Sequence, residues 1–296
     1  MKINNAVPEL TDVTVHASGT LTQGVKGPGV ELRPWIAHFP VCPALTQHQI
    51  AHVGIMRTTA PTRIVRTKQT TTYFLACFGG RGNVLIDGRW RRCRAGFASL
   101  LPAHTLNAFE ALPGVKWEFC WACYQQPLRP VADVSSPVMA RYDALPLRSA
   151  ITGLTQECKT AAEPTMIQHW ADLIHNYVRR FAQPFQEDDR LRTLWERVVR
   201  HLGDPWSLAR LAQEAGYSNE HLRRLCRHQL GRSPMHQVTH LRMRRAAELL
   251  ASTSQTIEAI ADQVGYHNPF VFSNAFTKWI GWRPSEYRRK KLTTEP

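Results

Sequence analysis

The chain has no long apolar run. Nowhere in its 296 residues does one approach the ~20 needed to cross a bilayer, and the first residues lack the basic–apolar–small order of a secretory leader. Low-complexity tracts are missing too, which excludes fibrous and linker-like classes. The seven cysteines are scattered and form no disulfide-like framework, so a reduced, cytoplasmic protein is expected. Cys120 and Cys123 make a CxxC, but inside WEFCWACY, which reads as a strand. Residues three apart in a strand face opposite sides, so structural thiols are expected here and not a metal pair.

Acidic residues are the scarcer charge. There are 37 Lys+Arg against 23 Asp+Glu, a net +14, which suggests an anionic partner; charge alone would suit a membrane or RNA as well as DNA. Its distribution narrows the choice. Residues 190–296 carry 18 Lys+Arg against 9 Asp+Glu, whereas residues 1–189 carry 19 against 14. Most of the excess therefore sits in the last third. Length and a 43% hydrophobic content leave room for two domains, each with its own core.

That last third contains one pattern twice. SLARLAQEAGYSNEHLRRLCRHQLGRSP and TIEAIADQVGYHNPFVFSNAFTKWIGWRP align Ser207 with Thr256, Leu211 with Ile260 and Gly216 with Gly265. After the extra His267, Ser218 falls on Asn268, Leu222 on Phe272, Cys226 on Phe276 and Pro234 on Pro284. A repeat this long implies two copies of one supersecondary unit. Each spells a capped helix, a Gly turn and a second capped helix, the helix-turn-helix, whose second helix enters the major groove. Ser233-Pro234 opens a connecting helix expected to run to about Ala251. Such a rod is long enough to set two recognition helices in successive major-groove windows.

The remainder reads as strands followed by helices. Residues 1–60 show no clean period and are expected to form an arm and short strands. TTTYFLACF is a strand followed by the turn GGRG, and VLIDGRWRR is a hairpin around Asp87-Gly88. FASLL and VKWEFCWACY add strands, the latter with Trp117, Phe119, Trp121 and Cys123 on one face. Together they suggest a small barrel or sandwich. From Ala144 the period becomes helical. Leu147, Ile151 and Leu154 mark one helix; Met166, Trp170, Leu173, Ile174, Tyr177, Val178 and Phe181 mark a second over 165–182. The apolar stripe of that second helix either packs on its own barrel or pairs two chains into a homodimer, and dimerisation is favoured. QPFQEDD (183–189) is the expected linker, and a further helix spans Leu191–Leu202.

AxxxGYS with LxRxCxxxLGxSP, then IAxxVGYxNPFxFSxAFxKWxGxxPSEYR, closely resemble the DNA-binding domain of the AraC/XylS transcription regulators. GRGNVLIDGRW, FASLL-Pro and His104, within about 60–125, look like the cupin-type sensor barrel of the arabinose-responsive branch. The resemblance implies an α+β, two-domain architecture. A cupin-like barrel with dimerisation helices would occupy 1–182 and an all-α DNA-binding domain 190–291, with two helix-turn-helix units joined by a linker helix. It also implies an activator that works with RNA polymerase on double-stranded promoter DNA.

Candidate readers lie on the outward face of each second helix: Glu220, Arg223, Arg224 and Arg227, then Asn268, Ser273, Asn274 and Lys278. Arg suits guanine O6/N7 and Glu suits cytosine N4; the plainer reading is phosphate contact. The resemblance places readers at Glu220, Arg223, Arg224, Ser273 and Asn274. Arg242, Arg244, Arg245 and the terminal RRKK read as phosphate or solvent residues.

For a ligand, Trp117, Trp121, Tyr73, His104 and Arg66 offer the aromatic faces and polar groups that a sugar needs. The resemblance sets Arg66 and Trp117 near the sugar, while the bland reading makes Trp117 and Trp121 core. GGRGNVLIDG lacks the His-x-His of metal-holding cupins, and one histidine is not a metal site, so no cofactor is expected. His48 and His52, four apart, read as surface or core histidines. Two further possibilities stay open: a cupin-type enzyme fused to a DNA module, and a regulator with no small-molecule effector.

Overall fold

The structure, a computed structural model, describes residues 13–29, 34–66, 71–103, 106–125, 138–160, 163–183 and 189–292. Its strands are β1 (Val13–Val15), β2 (Leu21–Lys26), β3 (Ile50–Thr58), β4 (Arg63–Arg66), β5 (Thr72–Ile86), β6 (Arg89–Arg94), β7 (Phe97–Leu101), β8 (Asn107–Ala111), β9 (Trp117–Tyr124) and β10 (Met139–Arg141). The helices are α1 (Leu145–Glu157), α2 (Pro164–Ala182), α3 (Asp189–Arg200), α4 (Leu208–Ala215), α5 (Asn219–Gln229), α6 (Pro234–Ser252), α7 (Ile257–Gln263), α8 (Pro269–Ile280) and α9 (Pro284–Leu292).

The strands form one curled antiparallel sheet, ordered β1-β4-β8-β5-β9-β3-β2, with β6 and β7 also on β5 and β10 on β7. β5 produces the curl. Its first half pairs with β7 and β9, its second half with β6 and β8. Between the halves the register slips opposite β9, and Gly80 takes φ +62°. A side chain at Gly80 would collide with the Lys116 carbonyl. GGRG, expected as a turn, is therefore the corner over which a continuous strand bends, a role that a bulge and a glycine share. The expected hairpin at Asp87-Gly88 forms, with φ +53° and +71° as the tight primed turn requires.

β3 was not legible because it has no polar side: nearly every residue from Ile50 to Thr58 is buried. β9 alternates strictly. Trp117, Phe119, Trp121 and Cys123 enter the curl, while Cys120, Ala122 and Tyr124 face α1 and α2. The two CxxC cysteines accordingly lie on opposite sides of the sheet.

α1 and α2 cover the outer face with Leu147, Ile151, Leu154, Ile174, Val178 and Phe181. The stripe expected on 165–182 is thus divided. Ile174, Val178 and Phe181 pack on their own sheet, and Met166 and Leu173 remain about 40% exposed. The linker at 183–189 lies mostly outside the described residues, and α3 begins at Asp189.

The C-terminal helices make two small cores that share α6. Val238 and Leu241 enter the first, with Leu211, Leu222, Cys226 and Trp195. Met243, Ala246 and Leu250 enter the second, with Ile260, Phe272 and Phe276. Between them, Arg242 donates to the carbonyls of Leu202 (3.0 Å), Asp204 (2.7 Å) and Gly265 (3.4 Å). The phosphate or solvent role expected of Arg242 is therefore corrected: its guanidinium is spent tying the two halves together. Among the described residues no helix is long and apolar enough to cross a membrane.

The two parts of the chain meet at the β5–β6 hairpin and at the start of β10. Val138 N–H donates to the Leu230 carbonyl (3.0 Å), and Arg91 donates to that of Gly231 (2.9 Å). Asp87 accepts two hydrogen bonds from Arg232, which is buried.

Candidate nucleic-acid interface and ligand pocket

α5 is set by its ends. Ser218 Oγ accepts from His221 N–H (3.2 Å), capping the helix after the turn at Gly216. Tyr217, at that turn, lies under Arg190 (4.5 Å) and beside His221 (4.9 Å). Leu222 and Cys226 are fully buried, and burial pushes the Cys226 thiol up to about 12, so it stays neutral. With that face inward, Glu220, Arg223, Arg224 and Arg227 are exposed and line one open concavity with His228. Arg224 also approaches His221 Nδ1 at 3.4 Å.

α8 repeats the plan. Phe272 and Phe276 are buried; Asn274 and Lys278 are exposed and Ser273 is half-buried. Asn268 is exposed, and its Oδ1 caps the helix, accepting from Phe270 N–H (2.9 Å) and Val271 N–H (3.2 Å). Lys278 sits at the junction with the sheet, its carbonyl and stem close against Gly88. The sequence reading missed Phe270 and Val271, exposed by 80% and 55% beside that cap. The signal was present, since large apolar residues at the two positions after an N-cap Asn-Pro face away from the Phe272–Phe276 stripe.

Inside the curl, Tyr73, Trp117 and Trp121 belong to one cluster, with Phe109 stacked 5.6 Å from Tyr73. Trp117 and Trp121 are wholly buried, and Trp121 Nε1 donates to His52 Nδ1 (2.8 Å). His48 instead pairs with Asp172 on α2 (2.6 Å). Arg66 is buried at the end of β4; burial, with the Arg66 charge nearby, holds the His16 imidazole below its ordinary range. His104 lies outside the described residues. Several buried polar atoms in this region find no partner among the described residues: both ring nitrogens of His16, Trp35 Nε1, Trp117 Nε1 and the carboxamide of Asn107. Trp35 stands 5.6 Å from His16 and 5.5 Å from Trp121, which puts His16, Trp35 and Trp121 around one interior region. Leaving such atoms unbonded costs about 1–3 kcal/mol each.

Residues 211–290 match the family model described as a helix-turn-helix domain. The lactose operon transcription activator of Staphylococcus xylosus is 41% identical over 78 residues, 26% of this chain and 28% of that protein. The MmsAB operon regulatory protein of Pseudomonas aeruginosa is 25% identical over 257 residues, 80% of this chain and 81% of that one. RclR of Escherichia coli K12, an RCS-specific HTH-type transcriptional activator, is 23% identical over 299 residues, 97% of this chain and 88% of that one. The chain spans 28% to 35% of the length of the first curated relatives that it matches. The three relatives are named as operon regulators or transcriptional activators.

Proposed function

From the premise that residues 211–290 belong to the AraC-type helix-turn-helix family, we propose that the chain is a sequence-specific DNA-binding transcription regulator, an activator, responsive to a small molecule held in its N-terminal sheet. One observation carries the DNA reading. α5 and α8 bury matched pairs, Leu222 with Cys226 and Phe272 with Phe276, against opposite ends of α6, and so turn their polar faces outward. α4–α5 and α7–α8 are then two helix-turn-helix units, spaced by a rod about 28 Å long at 1.5 Å per residue. They suit successive major-groove windows on one side of a duplex.

Glu220, Arg223, Arg224 and Arg227 read the first box, and Ser273 and Asn274 read the second with Phe270 and Val271. Arg offers paired donors to guanine, while Phe and Val suit a thymine methyl. Asn268 acts as the cap that aims these residues, and Lys278 acts on phosphate at the helix end. Selection from a randomised duplex pool by the full chain tests this. Two short preferred boxes are expected, and recovery of no preferred sequence would overturn it.

The effector reading rests on the polar atoms of His16, Trp35 and Asn107 that have no partner among the described residues, beside Arg66 within a cupin-like curl. These groups ask for a ligand rich in hydroxyls or oxyanions, and the aromatic walls suit the C–H face of a sugar. A thermal-shift screen of sugars and small acids tests it, since a ligand bound only by the folded state raises the unfolding midpoint. The exposed Met166 and Leu173 of α2 are the seam on which two chains would pair, and RNA polymerase is the further partner of an activator.

A further inference from the structure

The outward row of α5 does not end at the C-terminal helices. Arg227 and His228, in its last turn, open into a second cleft of about 840 Å³ whose far wall belongs to the N-terminal part of the chain. That wall carries Arg141 at the end of β10 and Arg180 in the last turn of α2. All four basic side chains are exposed. Arg180 lies 5.5 Å over the Tyr177 ring, and the Tyr142 hydroxyl, lining the same cleft, donates to the Tyr177 carbonyl (3.2 Å). The cleft holds one carboxylate, Asp143, whose Oδ1 accepts from Leu145 N–H at the start of α1 (3.0 Å). Among the described residues none of Arg141, Arg180 and Arg227 pairs with a carboxylate.

Three guanidiniums with no carboxylate partner among the described residues face one cleft from two domains and repel one another, and a polyanion relieves that repulsion. Position specifies which polyanion. A recognition helix reads bases with its N-terminal residues, and its other end leaves the groove beside the sugar–phosphate strand. Arg227 and His228 mark that exit. Phosphates bordering the groove would then continue into the cleft and past Arg141 and Arg180.

We propose that the N-terminal domain is itself part of the DNA-binding surface: Arg141 and Arg180 grip backbone phosphates flanking the box read by α5. This rests on the DNA-binding reading of α5. It makes the two domains a single clamp on the duplex, so that any change in their arrangement alters affinity directly.

The test uses the full chain and a selected duplex of about 40 bp, longer than the two boxes together. Binding is measured against salt for the wild type, Arg141→Ala/Arg180→Ala and Arg141→Lys/Arg180→Lys. The alanine pair is expected to lower the slope of log K against log[salt] by about 1.8, roughly 0.9 for each phosphate released. Base preference should be unchanged, and the lysine pair should keep the wild-type slope. On a duplex trimmed flush with the α5 box on its outer side, wild type and alanine pair should converge. An unchanged slope on the long duplex overturns the proposal. So does an equal loss on the trimmed duplex, which would mean that the substitutions act on the fold. A wild-type chain that binds no duplex even at low salt overturns the DNA-binding reading as well, whereas the first two outcomes leave that reading standing.

Discussion

Arg232 and Asp87 are 145 residues apart in the chain and meet as a two-bond ion pair, Nε to Oδ2 at 2.7 Å and Nη2 to Oδ1 at 2.9 Å. The aspartate sits in the β5–β6 turn and the arginine just before α6, so the pair joins the sheet to the helices. Both side chains are nearly buried, at 4% and 12% exposure. Gln237 (3.4 Å) and His240 (3.3 Å) complete the arginine's surroundings. Burial, with Arg232 and Arg244 nearby, holds His240 well below its ordinary range, so it stays neutral beside the pair.

Breaking this pair from one side should be costly and removing it whole should not. Asp87→Ala leaves a buried guanidinium without its carboxylate and should lose about 3–5 kcal/mol, while Asp87→Ala combined with Arg232→Met should recover much of that. Urea unfolding of the full chain around this double-mutant cycle reads the coupling directly. Additive losses would mean that the pair is solvated and holds nothing.

Arg223→Ala should cost about 1–3 kcal/mol on the selected site and flatten preference at one base pair. Titrations against the selected duplex and its single-base variants decide the matter. Equal weakening on all of them would identify Arg223 as a phosphate contact.

Phe270 makes a different kind of prediction, because an apolar ring 80% exposed contributes little to the fold. Phe270→Ala should change stability by no more than about 0.5 kcal/mol and yet weaken DNA binding. Replacing one thymine of the second box by uracil removes only a methyl group. That should weaken the wild type and leave the variant indifferent.

Trp117 is a poor selective probe of effector response. It is fully buried, and Gly82 lies directly against its ring. Trp117→Ala should cost about 3–5 kcal/mol through the cavity it leaves, and Gly82→Ala should also destabilise because its new methyl meets the indole. Thermal unfolding measures both. Trp35, only partly buried and with no partner for Nε1 among the described residues, is the better site for disturbing the response alone.

The N-terminal fold should weaken as the solution is acidified. Burial, with His48 and Arg179 nearby, lowers His175 to about 4 from its ordinary 6.5. Between those values the unfolded chain takes up a proton that the folded chain refuses. The stabilising effect is therefore complete above pH 6.5 and is lost as the pH falls towards 4. Melting temperatures across that window should drop for the wild type and drop less for His175→Phe. Parallel curves would show that His175 titrates normally.

Helical repetition made the C-terminal third legible without coordinates. Caps at Ser207, Ser218, Thr256 and Asn268, and the stripes Leu222–Cys226 and Phe272–Phe276, depend on spacing within one turn of chain, and all four caps form. β9 was legible for the same local reason, since strict alternation states which residues share a face. Long-range facts were another matter. β3 is buried on both faces and shows no period, and the glycines of β5 mark a bend only because β9 lies beside them. Asn268 could be assigned as a cap from its position, and it caps α8. Arg242 looked like any basic surface residue until three carbonyls from distant turns closed around it. Spacing along the chain determined which elements form and which side of each is apolar. Which elements touch, whether Asp87 finds Arg232, and whether Arg141 comes to face Arg227 was decided only by the tertiary structure, because those distances depend on how the whole chain closes on itself.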